Sequence, residues 1–270
     1  MSIVNTLTLE SNRQIKINFD GGDLSSDAGL LLIKEFAAKI GFTKLIKKKF
    51  KTNDEAVRFH KDAENLLQMI YQVISAYFQD DCADELTLDP VFLAVLGKES
   101  LASQPTLSRF FNRMDEDTLV QFNDIDKKLR DIIYSIKRPE YVLFDLDSTL
   151  FGTYGRQEGE GFNFHYQAHG YHPLLCYDGL TGDLLKAELR NGTLHCSNGA
   201  DKFMESIFQE YLERGLKTYL RGDSGFSSPK LYETCESNGC SYAIRLKQNS
   251  TLIALASDKE EALYKATQKD

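Results

Sequence analysis

The most informative segment of the sequence is YVLFDLDSTL, Tyr141 to Leu150, an apolar run with two carboxylates near its end. The run predicts a buried strand. Because side chains alternate along a strand, Asp145 and Asp147 fall on one face. Two carboxylates on one face either repel each other or share a cation. The alternative is that one of the two aspartates only caps the turn that follows the strand.

A second apolar run, at about 216–222, leads into RGDSGF, Arg221 to Phe226. If the two strands lie side by side, Asp223 comes near Asp147 or Asp145. Carboxylate oxygens suit Mg²⁺, which keeps several waters for substrate phosphates. A pair of such ions about 4 Å apart would serve the cutting or joining of phosphodiesters. For Asp223 taken alone, an N-cap or turn role is the alternative.

The bulk composition limits the class of protein. The chain has 270 residues, 42% of them hydrophobic, which is enough for two ordinary domains. Its formal net charge of -8 argues against non-specific coating of nucleic acid. No signal-like start and no apolar run of roughly 18 residues is found, and the five cysteines form no CxxC pair. We therefore expect a cytoplasmic protein without a membrane partner.

The charges are unevenly distributed. Between Lys34 and Lys51 there are seven lysines and one acid, Glu35. Such a cluster is either a solvated helix end or a contact to DNA phosphates.

The first 139 residues read as a mostly helical domain. Two short alternating runs, VNTLTLE from Val4 and QIKINF from Gln14, predict a hairpin. Helical spacing of apolar residues follows, and Pro90 and Pro105 each suit a first helical turn. We therefore expect a domain over 1–139.

From residue 140 the pattern changes to strands. They are predicted at 141–150, 162–169, 172–178 and 183–190, and then helices and strands alternate. The early connections are too short for crossovers, so we expect a mixed sheet with helices packed on it over 140–270.

Several ordered blocks of the chain resemble a known family, the DDE transposases of bacterial insertion sequences, whose catalytic domain has a ribonuclease-H-like fold. The blocks in the first domain are LTLDPVFLAVLG and LASQPTLSRFFNR. Those in the second are FDLDST, YGRQEGEGF, GYHPLLCYDGLTGDLL, LRNGTLHCSNGADKF, RGDSGF and YAIRLKQN.

The resemblance implies roles for the acids. Asp147 would be the first acid of the catalytic triad and Asp223 the second, together holding Mg²⁺ in a two-metal site, while the role of Asp145 stays open. The implied chemistry is cleavage at the ends of a mobile element and strand transfer to target DNA. The implied partner is DNA, both the terminal repeats of the element and the target. A homodimer with a second copy of the chain is a further expectation.

The third acid of the family is a glutamate on a later helix, and here the chain departs from the pattern. In relatives with these blocks that helix follows an inserted β-rich segment and lies past residue 270. Glu260 and Glu261 lie 37 and 38 positions after Asp223, in the helix-favouring tail ASDKEEALYKATQKD. We expect a C-terminally truncated transposase with an incomplete catalytic domain. A non-catalytic DNA-binding remnant is the alternative.

Five further residues are candidates for DNA contact. Pro105 opens a short helix, and polar groups at a helix start can read base edges or grip phosphate. Capping and solubility explain the same residues on that helix. For Arg221, which lies close to Asp223, the alternative is a salt bridge at the end of a strand. The candidates are Gln104, Thr106, Ser108, Arg109 and Arg221.

Two other functions compete. The motif FDLDSTL also fits the nucleophile motif of haloacid-dehalogenase phosphatases, in which Asp145 would attack phosphorus and Asp147 would act as acid or base. The strand order predicted after the motif and the lack of a second acid soon after Asp223 argue against it. The second is a zinc site, for which ordinary strand and turn side chains are the alternative. Its ligands would be drawn from His165, His169, His172, Cys176 and His195.

Overall fold

The computed structural model describes residues 6–19, 21 and 24–267, except for the side chain of Asp258. The chain forms two compact units, Met1–Arg138 and Pro139–Asp270. In the described ranges, no helix is long and apolar enough to cross a membrane.

The first unit begins with a two-stranded antiparallel hairpin of β1 (Thr6–Thr8) and β2 (Lys16–Asn18). The predicted hairpin is thus confirmed, while Val4 and Asn5 of its first run lie outside the described residues.

Seven helices make up the rest of the described part of the first unit. They are α1 (Leu30–Lys39), α2 (Phe42–Lys49), α3 (Asp62–Ile74), α4 (Cys82–Glu85), α5 (Pro90–Leu96), α6 (Gln104–Phe111) and α7 (Glu116–Ile136). Both prolines lie in the first turn of a helix, as predicted, because a missing amide costs nothing there. Ile46 of α2, Phe92 of α5 and Phe110 of α6 are buried in one shared core.

The second unit is built on a five-stranded sheet. Its strands are β3 (Tyr141–Ser148), β7 (Leu174–Asp178), β8 (Leu184–Glu188), β9 (Lys217–Gly222) and β10 (Ser241–Ile244). They lie in the order β8, β7, β3, β9, β10. Strand β7 pairs antiparallel with both β3 and β8. Strand β9 pairs parallel with both β3 and β10. The predicted α/β fold with a mixed sheet is confirmed.

Helices α8 (Ala200–Glu213) and α9 (Pro229–Ser237) follow β8 and β9. Phe144 of β3 is fully buried, and its ring lies 5.6 Å from that of Phe208 and 5.1 Å from that of Tyr211, both on α8. Since side chains alternate along a strand, this packing turns Asp145 and Asp147 to the other face of the sheet.

A small second sheet, ordered β4, β6, β5, consists of β4 (Phe151–Gly152), β5 (Gly161–Asn163) and β6 (Ala168–Tyr171). The single strand predicted over 162–169 is wrong, because a turn separates β5 from β6. The Asn163 side-chain oxygen accepts hydrogen bonds from the amides of His165 and Tyr166, at 2.9 and 3.1 Å. Gln167 then adopts a φ of 54°, which no strand residue has.

The last described element is α10 (Ser250–Thr267), which carries the predicted helical tail. Its apolar side chains are largely exposed, including Leu255 and Leu263. The final residues of the predicted tail, 268–270, lie outside the described part.

Candidate metal and phosphate site

Parallel pairing of β3 and β9 brings the two predicted metal ligands to one edge of the sheet. Leu146 pairs with Gly222, so the next residues, Asp147 within β3 and Asp223 directly after β9, lie at the same level of the sheet. Both line one open cleft of about 410 Å³. The structure therefore places together the two aspartates that the sequence singled out.

Each of these two aspartates is oriented by a nearby backbone amide. The amide of Ser148 donates to Asp147 Oδ1 at 2.7 Å, and the amide of Gly225 donates to Asp223 Oδ1 at 2.8 Å. Asp223 is thus also the N-cap of a short 3-10 helix, Ser224–Phe226, which was the alternative role considered for it. Within the described residues, the second oxygen of each carboxylate receives no hydrogen bond and remains available to a ligand.

Asp145 is engaged differently. Its register partner on β9 is Arg221, whose Nε donates to Asp145 Oδ1 at 3.0 Å while Nη2 donates to Oδ2. These hydrogen bonds and the carboxylate charge raise the pKa of the Arg221 guanidinium. Both oxygens of Asp145 are occupied by a cation of the protein itself, so Asp145 is not available as a metal ligand in this arrangement.

Arg245, which the sequence reasoning missed, also lines the cleft. It follows β10, and its amide donates to the carbonyl of Gly222 at 3.2 Å. Because β10 runs parallel to β9, both strands end at the cleft edge. The run YAIRLKQN predicts a third strand, and if that strand is parallel to β9, the residue that follows it, Arg245, lies at the same edge as Asp223.

The two aspartates fit a hard divalent cation. Each offers a free carboxylate oxygen, and Mg²⁺ in proteins is often held by one or two carboxylates together with substrate phosphates. No group of three or more metal-ligating side chains that could hold an ion occurs in the ranges that the structure describes. Glu260 and Glu261 are not among the residues that line the cleft. The geometry thus brings two candidate ligands together, and no third acid is identified among the described residues.

A second cavity, of about 400 Å³, also has Asp223 in its wall, together with His195, Cys196 and Lys247. Burial and the charge of Asp223 raise the pKa of the Cys196 thiol. Cys196 is therefore a neutral neighbour of the carboxylate at ordinary pH.

The histidines proposed for zinc have other partners. His169 Nδ1 lies 2.8 Å from a carboxylate oxygen of Glu160. His172 Nδ1 lies 2.8 Å from the carbonyl of Leu194. Cys176 is buried within β7. His165, His172 and His195 line the second cavity, but no group of three or more side chains among the described residues could hold a metal ion. These contacts favour the interpretation of ordinary strand and turn side chains.

Four of the predicted DNA-contact residues lie on α6 of the first unit, namely Gln104, Thr106, Ser108 and Arg109. The amide of Gln104 donates to Asp84 at 2.9 Å and its side chain donates to Asp80 at 3.0 Å. Arg109 is exposed. The start of α6 therefore already has carboxylate partners within the protein.

The second unit is thus a mixed α/β fold with two aspartates at one edge of its sheet. The chain belongs to the family described as transposase DDE domain group 1, whose model matches residues 7–270. None of the curated proteins matches the chain.

Two solved structures are similar to the chain over part of their length. A piggyBac transposase synaptic complex with hairpin DNA has 16% identity and a TM-score of 0.38, over 83% of this chain and 51% of that one. A simian T-cell lymphotropic virus intasome in complex with the PP2A regulatory subunit B56 gamma has 14% identity and a TM-score of 0.26, over 49% of this chain and 42% of that one. The chain thus spans about half the length of the piggyBac chain.

Family membership and strand order decide between the two uses of FDLDSTL. The strands that follow β3 pair antiparallel instead of crossing over, and Asp145 is bound at both oxygens by Arg221. Both observations, with the family match, favour the transposase interpretation over the phosphatase.

Proposed function

We propose that the chain carries the catalytic aspartates of a DNA transposase from a bacterial insertion sequence, which cleaves DNA at element ends and transfers the freed strand to target DNA. The observation that carries this proposal is the convergence of Asp147 and Asp223 on one cleft, each with one free carboxylate oxygen. Family membership supports the class of reaction.

In this proposal Asp147 and Asp223 would hold Mg²⁺. Once bound, the ion would supply a Lewis acid for the phosphodiester and lower the pKa of a water or hydroxyl nucleophile. The amides of Ser148 and Gly225 keep the two carboxylates turned into the cleft. Such preorganisation avoids the cost of orienting charged ligands during the reaction.

The cationic groups of the cleft have a separate task. Arg245 lines it, and no ion pair is formed by this side chain with any described residue. We assign Arg245 to the phosphate of the bound DNA strand, since a guanidinium matches phosphate geometry. Arg221, held in place by Asp145, would present its remaining donor to the same strand.

The proposal leaves the third acid of the family's triad unassigned, and the predicted truncation stays a prediction. DNA contact by α6, a homodimer and a cytoplasmic location are likewise proposals from the sequence.

The test is a cleavage and strand-transfer assay on DNA that carries the element's own terminal repeats, with and without Mg²⁺. Asp223→Asn is the inactive control, and Asp201→Asn, on the first turn of α8, is the matched control outside the cleft. Mg²⁺-dependent product from the wild type and from Asp201→Asn, but not from Asp223→Asn, supports the proposal. Equal product from Asp223→Asn would refute the assignment. No product from the wild type would support the non-catalytic alternative.

A further inference from the structure

Helix α2 presents a row of lysines on the surface of the first unit. Ile46 of this helix is 1% exposed and anchors it in the core, whereas Lys44, Lys47 and Lys48 are exposed. Residues three and four positions apart on a helix are neighbours, with about 5–6 Å between their Cβ atoms. These three side chains, which we term the α2 lysine face, therefore carry their charges on one side of the helix.

The positive charge of the α2 lysine face is largely unneutralised. Across the described ranges, neither Lys44 nor Lys48 forms an ion pair. Lys47 interacts with the charge of Glu64, but that carboxylate already binds Lys98 Nζ at 2.7 Å. The remaining lysine of the same helix, Lys49, differs, because its Nζ lies 4.0 Å from Asp124.

A cavity lies beside the α2 lysine face, and one further lysine side chain is among those that line it. Lys44 and Lys47 line a cavity of about 490 Å³ together with Lys34. Lys34 Nζ donates to the carbonyl of Ala94 at 2.5 Å, and burial lowers its pKa. The exposed cations beside this cavity are thus those of the α2 lysine face, because Lys34 is half-buried. Glu64, which also lines the cavity, is paired with Lys98.

The start of α6, which the sequence suggested for DNA contact, is bordered by carboxylates instead of ammonium groups. Its Gln104 is bound by Asp80 and Asp84, so carboxylates occupy the donors that a phosphate would need. Among these two surfaces of the first unit, the charge complementary to DNA lies on α2.

We propose that the α2 lysine face binds the phosphate backbone of duplex DNA without reading its sequence. The inference rests on the proposed function for its partner, DNA, but not on the metal cleft. Duplex DNA carries one negative charge per about 1.7 Å of axis, so three ammonium groups on one helix face can each neutralise a phosphate.

The test is the salt dependence of binding of the full chain to a fluorescein-labelled duplex of random sequence, measured by anisotropy in EDTA. Each phosphate contact contributes about 0.9 to the slope of log K against log salt concentration. The triple variant Lys44→Gln, Lys47→Gln, Lys48→Gln is therefore expected to lower that slope by about 2.7. The corresponding triple arginine variant, which keeps the charge, is expected to retain the wild-type slope.

Three controls make the result specific. The triple variant Lys202→Gln, Lys217→Gln, Lys230→Gln removes the same formal charge from exposed positions of the second unit and should leave the slope unchanged. Lys49→Gln, on the same helix, should also leave it unchanged. Equal thermal unfolding midpoints establish that the variants are folded.

The inference is overturned if the triple glutamine variant of α2 keeps the wild-type slope, if Arg109→Gln alone accounts for the loss, or if the wild type does not bind the duplex. The binding assay contains EDTA and needs no bound metal ion, and Asp201→Asn, outside the cleft, should keep the wild-type slope. Failure of the cleavage proposal and failure of the lysine face are thereby distinguishable.

Discussion

Asp145 and Arg221 face each other across neighbouring parallel strands and form a two-point ion pair, with 3.0 Å between Arg221 Nε and Asp145 Oδ1. Asp147, two residues further along the same strand face, has one oxygen bound by an amide and one without a hydrogen-bond donor among the described residues. The two carboxylates of FDLDSTL therefore have different tasks. One orients an arginine, and the other is open to a ligand.

Loss of the Asp145 to Arg221 pair should change stability little. The pair is exposed, and exposed ion pairs are weakened by solvent and salt. We expect Asp145→Asn, Arg221→Gln and the double variant to unfold within about 2 °C of the wild type. For comparison, Arg214→Gln, which removes a largely buried pair with Glu210, should lower the midpoint more. A large loss from Asp145→Asn would show that the pair is structural.

Alkylation of Cys196 reports on the charge of Asp223. Burial and Asp223 both raise the thiol pKa, so the reactive thiolate fraction at pH 8 is small. Asp223→Asn removes one of these causes, lowers the pKa and should increase the rate of reaction with iodoacetamide severalfold. Peptide mass spectrometry can follow Cys196 and, as an internal reference, Cys82 of the first unit. Asp147→Asn is the control variant, since Asp147 does not act on this thiol. An unchanged rate in Asp223→Asn would disprove the electrostatic link.

The loop that leads to the second cavity depends on a glycine. A Cβ at Gly192 would lie 2.3 Å from the carbonyl oxygens of both Gly161 and Gly170, and neither can yield without moving a strand. We expect Gly192→Ala to reduce the free energy of unfolding by about 2 kcal/mol or more. Gly152→Ala, where a Cβ meets nothing within 4 Å, is the control and should be close to neutral. Urea unfolding measures both, and equal stability of the two variants would contradict the packing described.

The buried face of β3 should dominate the stability of the second unit. Phe144 is fully buried against α8, so Phe144→Ala is expected to cost about 3–5 kcal/mol. Leu143, on the opposite face, is only partly buried, and Leu143→Ala should cost clearly less. A larger loss from Leu143→Ala in urea unfolding would mean that the apolar core lies on the face of the aspartates.

The central features of the second unit could be predicted from the sequence because they are local. The apolar run at 141–148 forms a strand by composition, with Asp147 near its end, and Asp223 directly follows a second such strand. When two neighbouring parallel strands end at the same level, the residues at their ends lie at one edge of the sheet. The pairing of Leu146 with Gly222 brings Asp147 and Asp223 together in this way.

Other features depend on contacts that no local pattern contains. The turn after β5 forms because the Asn163 side chain accepts hydrogen bonds from two backbone amides. The alternating apolar residues of this segment predict a continuous strand and give no sign of the turn. The role of Asp145 depends on Arg221, 76 residues away. The state of the α6 start depends on Asp80 and Asp84, which are distant in the sequence from Gln104.

The assignment of Asp147 and Asp223 as metal ligands is tested by calorimetric titration of Mn²⁺, as a probe for the divalent ion, into the wild type and three single variants. We predict that Asp147→Asn and Asp223→Asn each weaken binding at least about tenfold, because each removes a ligand, whereas Asp145→Asn binds close to the wild-type affinity. Equal binding by all four proteins, or a loss confined to Asp145→Asn, would contradict the assignment of Asp147 and Asp223 as the metal ligands.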